Sequence, residues 1–104
     1  MSSDRLDTLK EMLARNPGDS FARYGLAMER RHTGDLEGAL IEFRTLVTTD
    51  PDYVPAYYHG GQTLERLNRI EEARQLYREG LEAAGRKGDR HAAGEIQLAL
   101  DLLG

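Results

Sequence analysis

Cysteine is absent from the 104 residues, which excludes disulfide frameworks and thiol chemistry. Long apolar runs are also absent, and none approaches the roughly 20 residues that a membrane-spanning helix needs. The first residues, MSSDRLDTLKEM, contain no apolar stretch of the kind found in secretory signals. Together these absences predict a soluble, cytoplasmic protein with no membrane segment.

An excess of positive charge is missing as well. Fourteen Lys and Arg face eighteen Asp and Glu, so the net charge is -4, and both signs are interspersed along the chain. Nucleic-acid binding usually needs a broad basic surface, so we expect no nucleic-acid partner. Apolar residues make up 39% and charged residues 31%, which is typical of one globular domain at this length.

Catalytic and cofactor signatures are not found either. The chain has no nucleophile motif, no glycine-rich phosphate loop and no dinucleotide fingerprint. His32, His59 and His91 fall in three different predicted helices, without the paired spacing that a metal site needs. We therefore predict a non-enzyme without a metal or cofactor.

What the chain does contain is an internal repeat of 34 residues. Shifting the sequence by that length aligns identical residues: Pro17 with Pro51, Ala22 with Ala56, Tyr24 with Tyr58, Glu37 with Glu71, Ala39 with Ala73 and Arg44 with Arg78. Downstream the repeat is weaker, and mainly Gly60 with Gly94 and Leu64 with Leu98 remain.

Apolar residues recur at helical spacing between these punctuation points, and no alternating strand pattern competes with them. The pattern predicts six helices, near residues 4–15, 19–33, 36–49, 53–67, 70–84 and 88–103. Pro17 and Pro51 cannot continue a helix. Gly34 and Asn68 tolerate the left-handed backbone that often ends one, and Gly85 and Gly88 bracket the last turn between helices.

These 34-residue units resemble the tetratricopeptide repeat family. In residues 20–53 the family pattern is carried by Leu26, Ala27, Gly34, Leu36, Ala39, Phe43 and Pro51. In residues 54–87 it is carried by Tyr57, Gly61, Leu64, Ile70, Ala73 and Tyr77. The resemblance implies one all-α domain over residues 1–104, a short right-handed α-solenoid. Helices near residues 4–15 and 88–103 would then be an N-terminal half-repeat and a C-terminal cap.

The resemblance also divides the tyrosine-rich stretch at residues 53–67 between two faces. Tyr57, Gly60 and Gly61 are expected to hold the packing between helices. The first helix of each pair lines the concave face, and the residues expected there are Phe21, Tyr24, Met28, Arg31, Tyr58, His59, Gln62 and Arg66. They predict a surface that binds a protein or peptide segment with apolar anchors. The alternative is that this face is covered by the ends of the chain or is simply exposed.

A second hypothesis is a structural assembly protein that self-associates. The last predicted helix, IQLALDLL at residues 96–103, carries more leucines than one buried stripe can hold. We expect Leu100 or Leu103 to remain exposed and to support a weak homodimer. The alternative is that this helix continues into residues beyond the chain.

Overall fold

Six α-helices make up the fold across residues 2–104, the range that the computed structural model describes, with side chains described for residues 4–104. They are α1 (Ser2–Arg15), α2 (Ser20–His32), α3 (Leu36–Thr49), α4 (Val54–Arg66), α5 (Ile70–Lys87) and α6 (Arg90–Leu102). No strand occurs in the described range, so the predicted all-α fold is confirmed. Each helix packs against the next along the chain, and the molecule measures 38 × 28 × 19 Å.

The helix ends follow from short-range chemistry. Asp19, Asp35 and Asp89 precede α2, α3 and α6, and each carboxylate accepts a hydrogen bond from a backbone N–H of the first turn, at 2.9–3.0 Å. Pro55 lies in the first turn of α4, where the missing N–H removes no helical hydrogen bond. Gly34 and Asn68 take positive φ angles of 92° and 58° after α2 and α4, as the sequence predicts.

The end of α5 corrects the sequence-based boundary. The helix was expected to stop at residue 84, before a turn bracketed by two glycines, but it continues to Lys87. Gly85 is therefore helical, and only Gly88 takes the left-handed conformation, with φ of 65°. The N–H of Asp89 then donates to the carbonyl of Ala84 at 2.9 Å, which closes the helix one turn later than expected.

Glycines bring α4 and α5 into close contact. A Cβ atom at Gly60 would lie 2.8 Å from Leu76 Cδ2, and one at Gly61 would overlap the ring of Tyr77. On the opposing helix, a Cβ at Gly80 would lie 2.6 Å from Tyr57 Cβ. The glycines lower the intrinsic helix propensity by roughly 1 kcal/mol each, and the buried rings that they admit offset this loss.

Two arginines in α2 approach one carboxylate on α3. Arg23 and Arg30 both reach Glu42 on α3, with nitrogen–oxygen distances of 2.7 and 3.9 Å. Arg23 donates a hydrogen bond to Glu42, whereas Arg30 Nε is buried without a hydrogen-bond partner and Arg30 Nη1 donates to Asp35 at 3.1 Å. The α2–α3 contact therefore includes a partly buried group of charged side chains.

Ala39 on α3 and Ala73 on α5 lie where neighbouring helices pack closely, so substitutions at these positions test the packing between helices. Both are fully buried, so Ala39→Leu or Ala73→Leu must push neighbouring helices apart. We expect each substitution to lower the free energy of unfolding by about 1–3 kcal/mol, measured by denaturant titration. Ala14→Leu, at an exposed position of α1, is the matched control and should leave stability nearly unchanged. Unchanged unfolding in both core variants would contradict the packing described here.

Candidate functional site

An aromatic cluster joins α2 to α4. The ring of Tyr24 lies 5.4 Å from the ring of Tyr53 and 5.8 Å, edge-on, from that of His59, centroid to centroid. The ring of Tyr58 also meets that of His59 edge-on, with 5.2 Å between the ring centroids. Edge-to-face contacts hold such rings in fixed positions. Tyr24, Tyr58 and His59 remain only partly buried, so the cluster presents a rigid apolar surface.

Arg31 ties this cluster to the next turn of α4. One guanidinium nitrogen, Nη1, lies 3.0 Å from Nδ1 of His59, and the other, Nη2, donates to Oε1 of Gln62 at 3.1 Å. Burial lowers the pKa of His59, and the neighbouring charge of Arg31 lowers it further. A neutral ring leaves Nδ1 as the acceptor for Arg31, which places the ring proton on Nε2.

Arg31 and Arg66 carry positive charge beside the aromatic cluster, and Glu65, which accepts the hydrogen bond of Tyr77, lines an adjoining depression with them. Arg31 and Arg66, with Met28 and His32, line a depression of about 330 Å³. Neither arginine forms an ion pair within residues 4–104, whereas Arg23, Arg44 and Arg86 each bind a carboxylate on another helix or loop. The depression can therefore accept a carboxylate from outside the chain. We call the set Tyr24, Met28, Arg31, Tyr58, His59, Gln62 and Arg66 the α2–α4 surface.

Phe21 does not join this surface. Its side chain is 72% exposed and lies against α1, where it borders a groove of about 450 Å³ together with Met12 and Leu9. Phe21 occupies the first turn of α2, one turn before Tyr24, where the neighbouring helix is α1. Its predicted place in the aromatic strip is thus corrected.

The exposed leucines of α6 are also different from those expected. Leu100 and Leu103 are partly buried and pack against the core formed by α4 and α5, while Leu98 and Leu102 are 60% and 78% exposed. Ile96 is fully buried, and Leu100 and Leu103 lie on the same side of α6, which faces α5. Leu98 and Leu102 lie on a different side of the helix and face away from α5. The expectation that Leu100 or Leu103 is exposed is therefore wrong.

Leu98 and Leu102 belong to a cleft that the sequence analysis did not identify. It has a volume of about 310 Å³ and lies between α4 and α6. Its lining residues are Tyr58, Gln62, Glu65, Glu95, Leu98, Ala99 and Leu102. The 34-residue shift aligns Leu98 with Leu64, which is fully buried. The sequence predicted no helix after α6 to cover Leu98 in the same way, and this was the signal available for its exposure.

Metal-binding and membrane-spanning features were sought over the same part of the chain. Among the residues that the structure describes, no three His, Cys, Asp or Glu side chains come close enough to hold a metal ion. No helix in that range is both long and apolar enough to cross a membrane.

Comparison with known proteins identifies the family. A model of the tetratricopeptide repeat matches residues 54–87. A crystal structure of a tetratricopeptide repeat domain protein from Salinibacter ruber is 41% identical, with a TM-score of 0.78, and the match covers 82% of this chain and 94% of that one. The chain belongs to the tetratricopeptide repeat family.

Other tetratricopeptide repeat proteins extend the comparison. A TPR repeat-containing protein from Pseudomonas aeruginosa is 28% identical over 95 residues, which cover 91% of this chain and 90% of that protein. The TPR2B domain of yeast Sti1, solved as a complex with pHsp70, shares the fold with a TM-score of 0.88 and 17% identity. That match covers 97% of this chain and 83% of the yeast domain. Tetratricopeptide repeats are generally protein–protein interaction modules without catalytic activity.

Proposed function

We propose that this protein binds a peptide segment or helix of another protein on the α2–α4 surface, without catalysis. One observation carries the proposal: a rigid aromatic cluster lies directly beside two arginines that have no carboxylate partner within residues 4–104. Aromatic rings supply contact area with few torsions to order, and Arg66 and the remaining N–H groups of Arg31 can donate to a carboxylate. Both features favour an external ligand.

The chemistry of the surface specifies the ligand more closely. Tyr58, Tyr24 and Met28 offer contact to an apolar side chain, while Arg31 and Arg66 offer hydrogen-bond donors to a carboxylate. We expect a segment with an apolar anchor and an acidic residue within one or two turns of it. The hydrogen bonds from Arg31 to His59 and Gln62 fix the guanidinium in advance, which reduces the entropy lost on binding.

Removal of the two tyrosines tests the proposal. Proteins captured from the source cell extract by the wild type should be lost with Tyr24→Ala/Tyr58→Ala, because buried aromatic anchors contribute about 2 kcal/mol or more each. Tyr24 also packs against Phe43, so Tyr58→Ala alone, with a thermal unfolding curve, separates binding from folding. Phe21→Ala is the matched control on the other side of α2. Equal capture by wild type and the Tyr58 variant would contradict the proposal.

A free acidic chaperone tail should not bind. Family members that hold such tails use lysines and asparagines on successive first helices, and the matching positions here are Tyr24, Met28, His59, Asp89 and Ala93. Asp89 is moreover engaged as the N-cap of α6. Titration calorimetry with a tail peptide should give no measurable heat, and micromolar affinity would refute this prediction.

Self-association is the second candidate function, and one observation favours it. Leu98 and Leu102 form an exposed apolar edge beside the α4–α6 cleft. Each leucine left in water forgoes roughly 1.5–3 kcal/mol of burial, so a covering surface is expected. Leu98 and Leu102 therefore replace Leu100 and Leu103 as the residues proposed for self-association.

A further inference from the structure

The 34-residue register sorts the six helices into two types. Helices α2, α4 and α6 align as first helices of a unit, and α1, α3 and α5 align as second helices. The pairs α2–α3 and α4–α5 are complete and closely packed. Within residues 2–104, no first helix precedes α1 and no second helix follows α6. Two half-units therefore stand at opposite ends of the fold.

Helix α6 exposes the face that its equivalent, α4, buries against α5. Leu98 is 60% exposed, whereas the aligned Leu64 is fully buried. A Cβ atom at Gly94 would meet nothing within 4 Å, whereas one at the aligned Gly60 would lie 2.8 Å from Leu76 on α5. The open face of α6 thus has the position and spacing that receive a second helix elsewhere in the same molecule.

Helix α1 is uncovered on the side where a first helix would pack. Met12 is 36% exposed, whereas the aligned Leu46 on α3 is fully buried in a cluster with Ala27 of α2. The groove of about 450 Å³ between α1 and α2 is lined by residues that include Leu9, Met12 and Phe21. The corresponding side of α3 is covered by α2. The open groove on α1 therefore lies at the position that a first helix occupies in the α2–α3 pair.

The two open faces also carry opposite charges in matching positions. Ala27 and Ala39 share a cluster in the α2–α3 pair, and the register aligns Glu95 with Ala27 and Arg5 with Ala39. Glu95 Oε1 lies 3.7 Å from His91 Nε2, and Arg5 Nε lies 3.4 Å from Glu29 Oε2. Both side chains are about half exposed or more, at 49% and 64%. If α6 and α1 paired as first and second helix, these charges would face each other.

We propose that α6 of one copy pairs with α1 of a second copy to complete a helix pair shared between the two chains. This interface is heterologous, because the two copies use different surfaces, and it adds further copies in a row. The α6 end adjoins the α2–α4 surface, since Glu95 and Leu98 share the α4–α6 cleft with Tyr58 and Gln62. The α1 end shares no residue with that surface, so Met12→Lys tests the pairing without touching the residues proposed for peptide binding. A single pair of helices is a small interface, and the association is accordingly weak.

Complementary single variants provide the decisive test. Sedimentation velocity of the wild type over a hundredfold concentration range should show a weight-average coefficient that rises beyond the value of a dimer. Met12→Lys and Leu98→Lys should each weaken self-association by about tenfold or more, since each places a charge in the interface. Mixed in equal amounts, the two variants should recover a heterodimer, because each retains one intact face. Thermal unfolding should be unchanged, since both side chains are exposed.

A charge exchange gives an independent measurement. Arg5→Glu and Glu95→Arg should each weaken self-association alone, and their mixture should restore it through the reversed pair. A wild type that stays monomeric throughout the range would overturn the proposal. So would loss of association with Leu98→Lys that Met12→Lys does not share, since this result indicates two α6 helices packed on each other.

Discussion

We expect Tyr77→Ala to lower the free energy of unfolding by about 3–5 kcal/mol, the range for truncating a large aromatic residue in a core. Tyr77 is fully buried on α5, its ring covers Gly61 of α4, and its hydroxyl donates a hydrogen bond to Glu65. Burial and the hydrogen bond to Glu65 raise the pKa of this tyrosine, so the hydroxyl stays protonated as the donor. The truncation removes the ring, the hydrogen bond and the closure of the α4–α5 contact together.

Chemical denaturation with circular dichroism measures this effect. Globular domains are stable by only about 5–15 kcal/mol. If the free energy of unfolding of the wild type is close to about 5 kcal/mol, Tyr77→Ala should be partly unfolded without denaturant. Tyr77→Phe keeps the ring and should lose only about 0.5–1.5 kcal/mol, the contribution of one hydrogen bond. Phe21→Ala, at an exposed aromatic residue, should leave stability within about 0.5 kcal/mol of wild type. A loss below 1 kcal/mol for Tyr77→Ala would contradict the central place of this ring in the packing.

We expect Gly61→Ala to lower the free energy of unfolding by about 1–3 kcal/mol, although alanine is the better helix former. The added methyl group would overlap three atoms of the Tyr77 ring, and this ring is fully buried, so it cannot move aside into solvent. The steric cost therefore exceeds the gain of roughly 1 kcal/mol in helix propensity.

Gly94→Ala is the matched control and should have the opposite sign. Gly94 also lies in the interior of a first-type helix, but a Cβ atom there would meet nothing within 4 Å. Only the propensity gain remains, so the variant should be more stable by about 0.5–1 kcal/mol. Both variants are compared by thermal unfolding in one buffer at low protein concentration. Equal effects at the two glycines would show that contact with Tyr77 does not decide the outcome.

Repetition made most of the fold predictable from the sequence. The prolines, the residues that tolerate positive φ and the apolar spacing placed five of the six helices within about two residues of their ends. The end of α5 was missed because Gly85 and Gly88 both suit a helix terminus. Only the backbone of the folded chain distinguishes them, since Gly88 alone takes a positive φ.

The candidate site was less predictable, because exposure depends on which neighbour is present. The sequence placed Tyr24, Tyr58 and His59 on one face, but it contained no sign that Arg31 would bind both His59 and Gln62. On α6, leucines occur on two adjacent stripes at helical spacing, and periodicity alone cannot say which stripe α5 covers. The buried Ile96 decides this in the folded protein, and it leaves Leu98 and Leu102 uncovered.

The most direct test of ligand binding is selection of a random peptide library displayed on phage, with the wild type as bait and the Tyr58→Ala/Arg66→Glu variant as counter-bait. Both substituted side chains lie on the α2–α4 surface, Arg66 exposed and Tyr58 partly exposed, and a thermal unfolding curve confirms that the variant is folded. We predict enriched peptides with an apolar residue and a carboxylate within two turns, each losing at least tenfold in affinity for the variant. No enrichment, or peptides that bind wild type and variant equally, would contradict a ligand-binding α2–α4 surface.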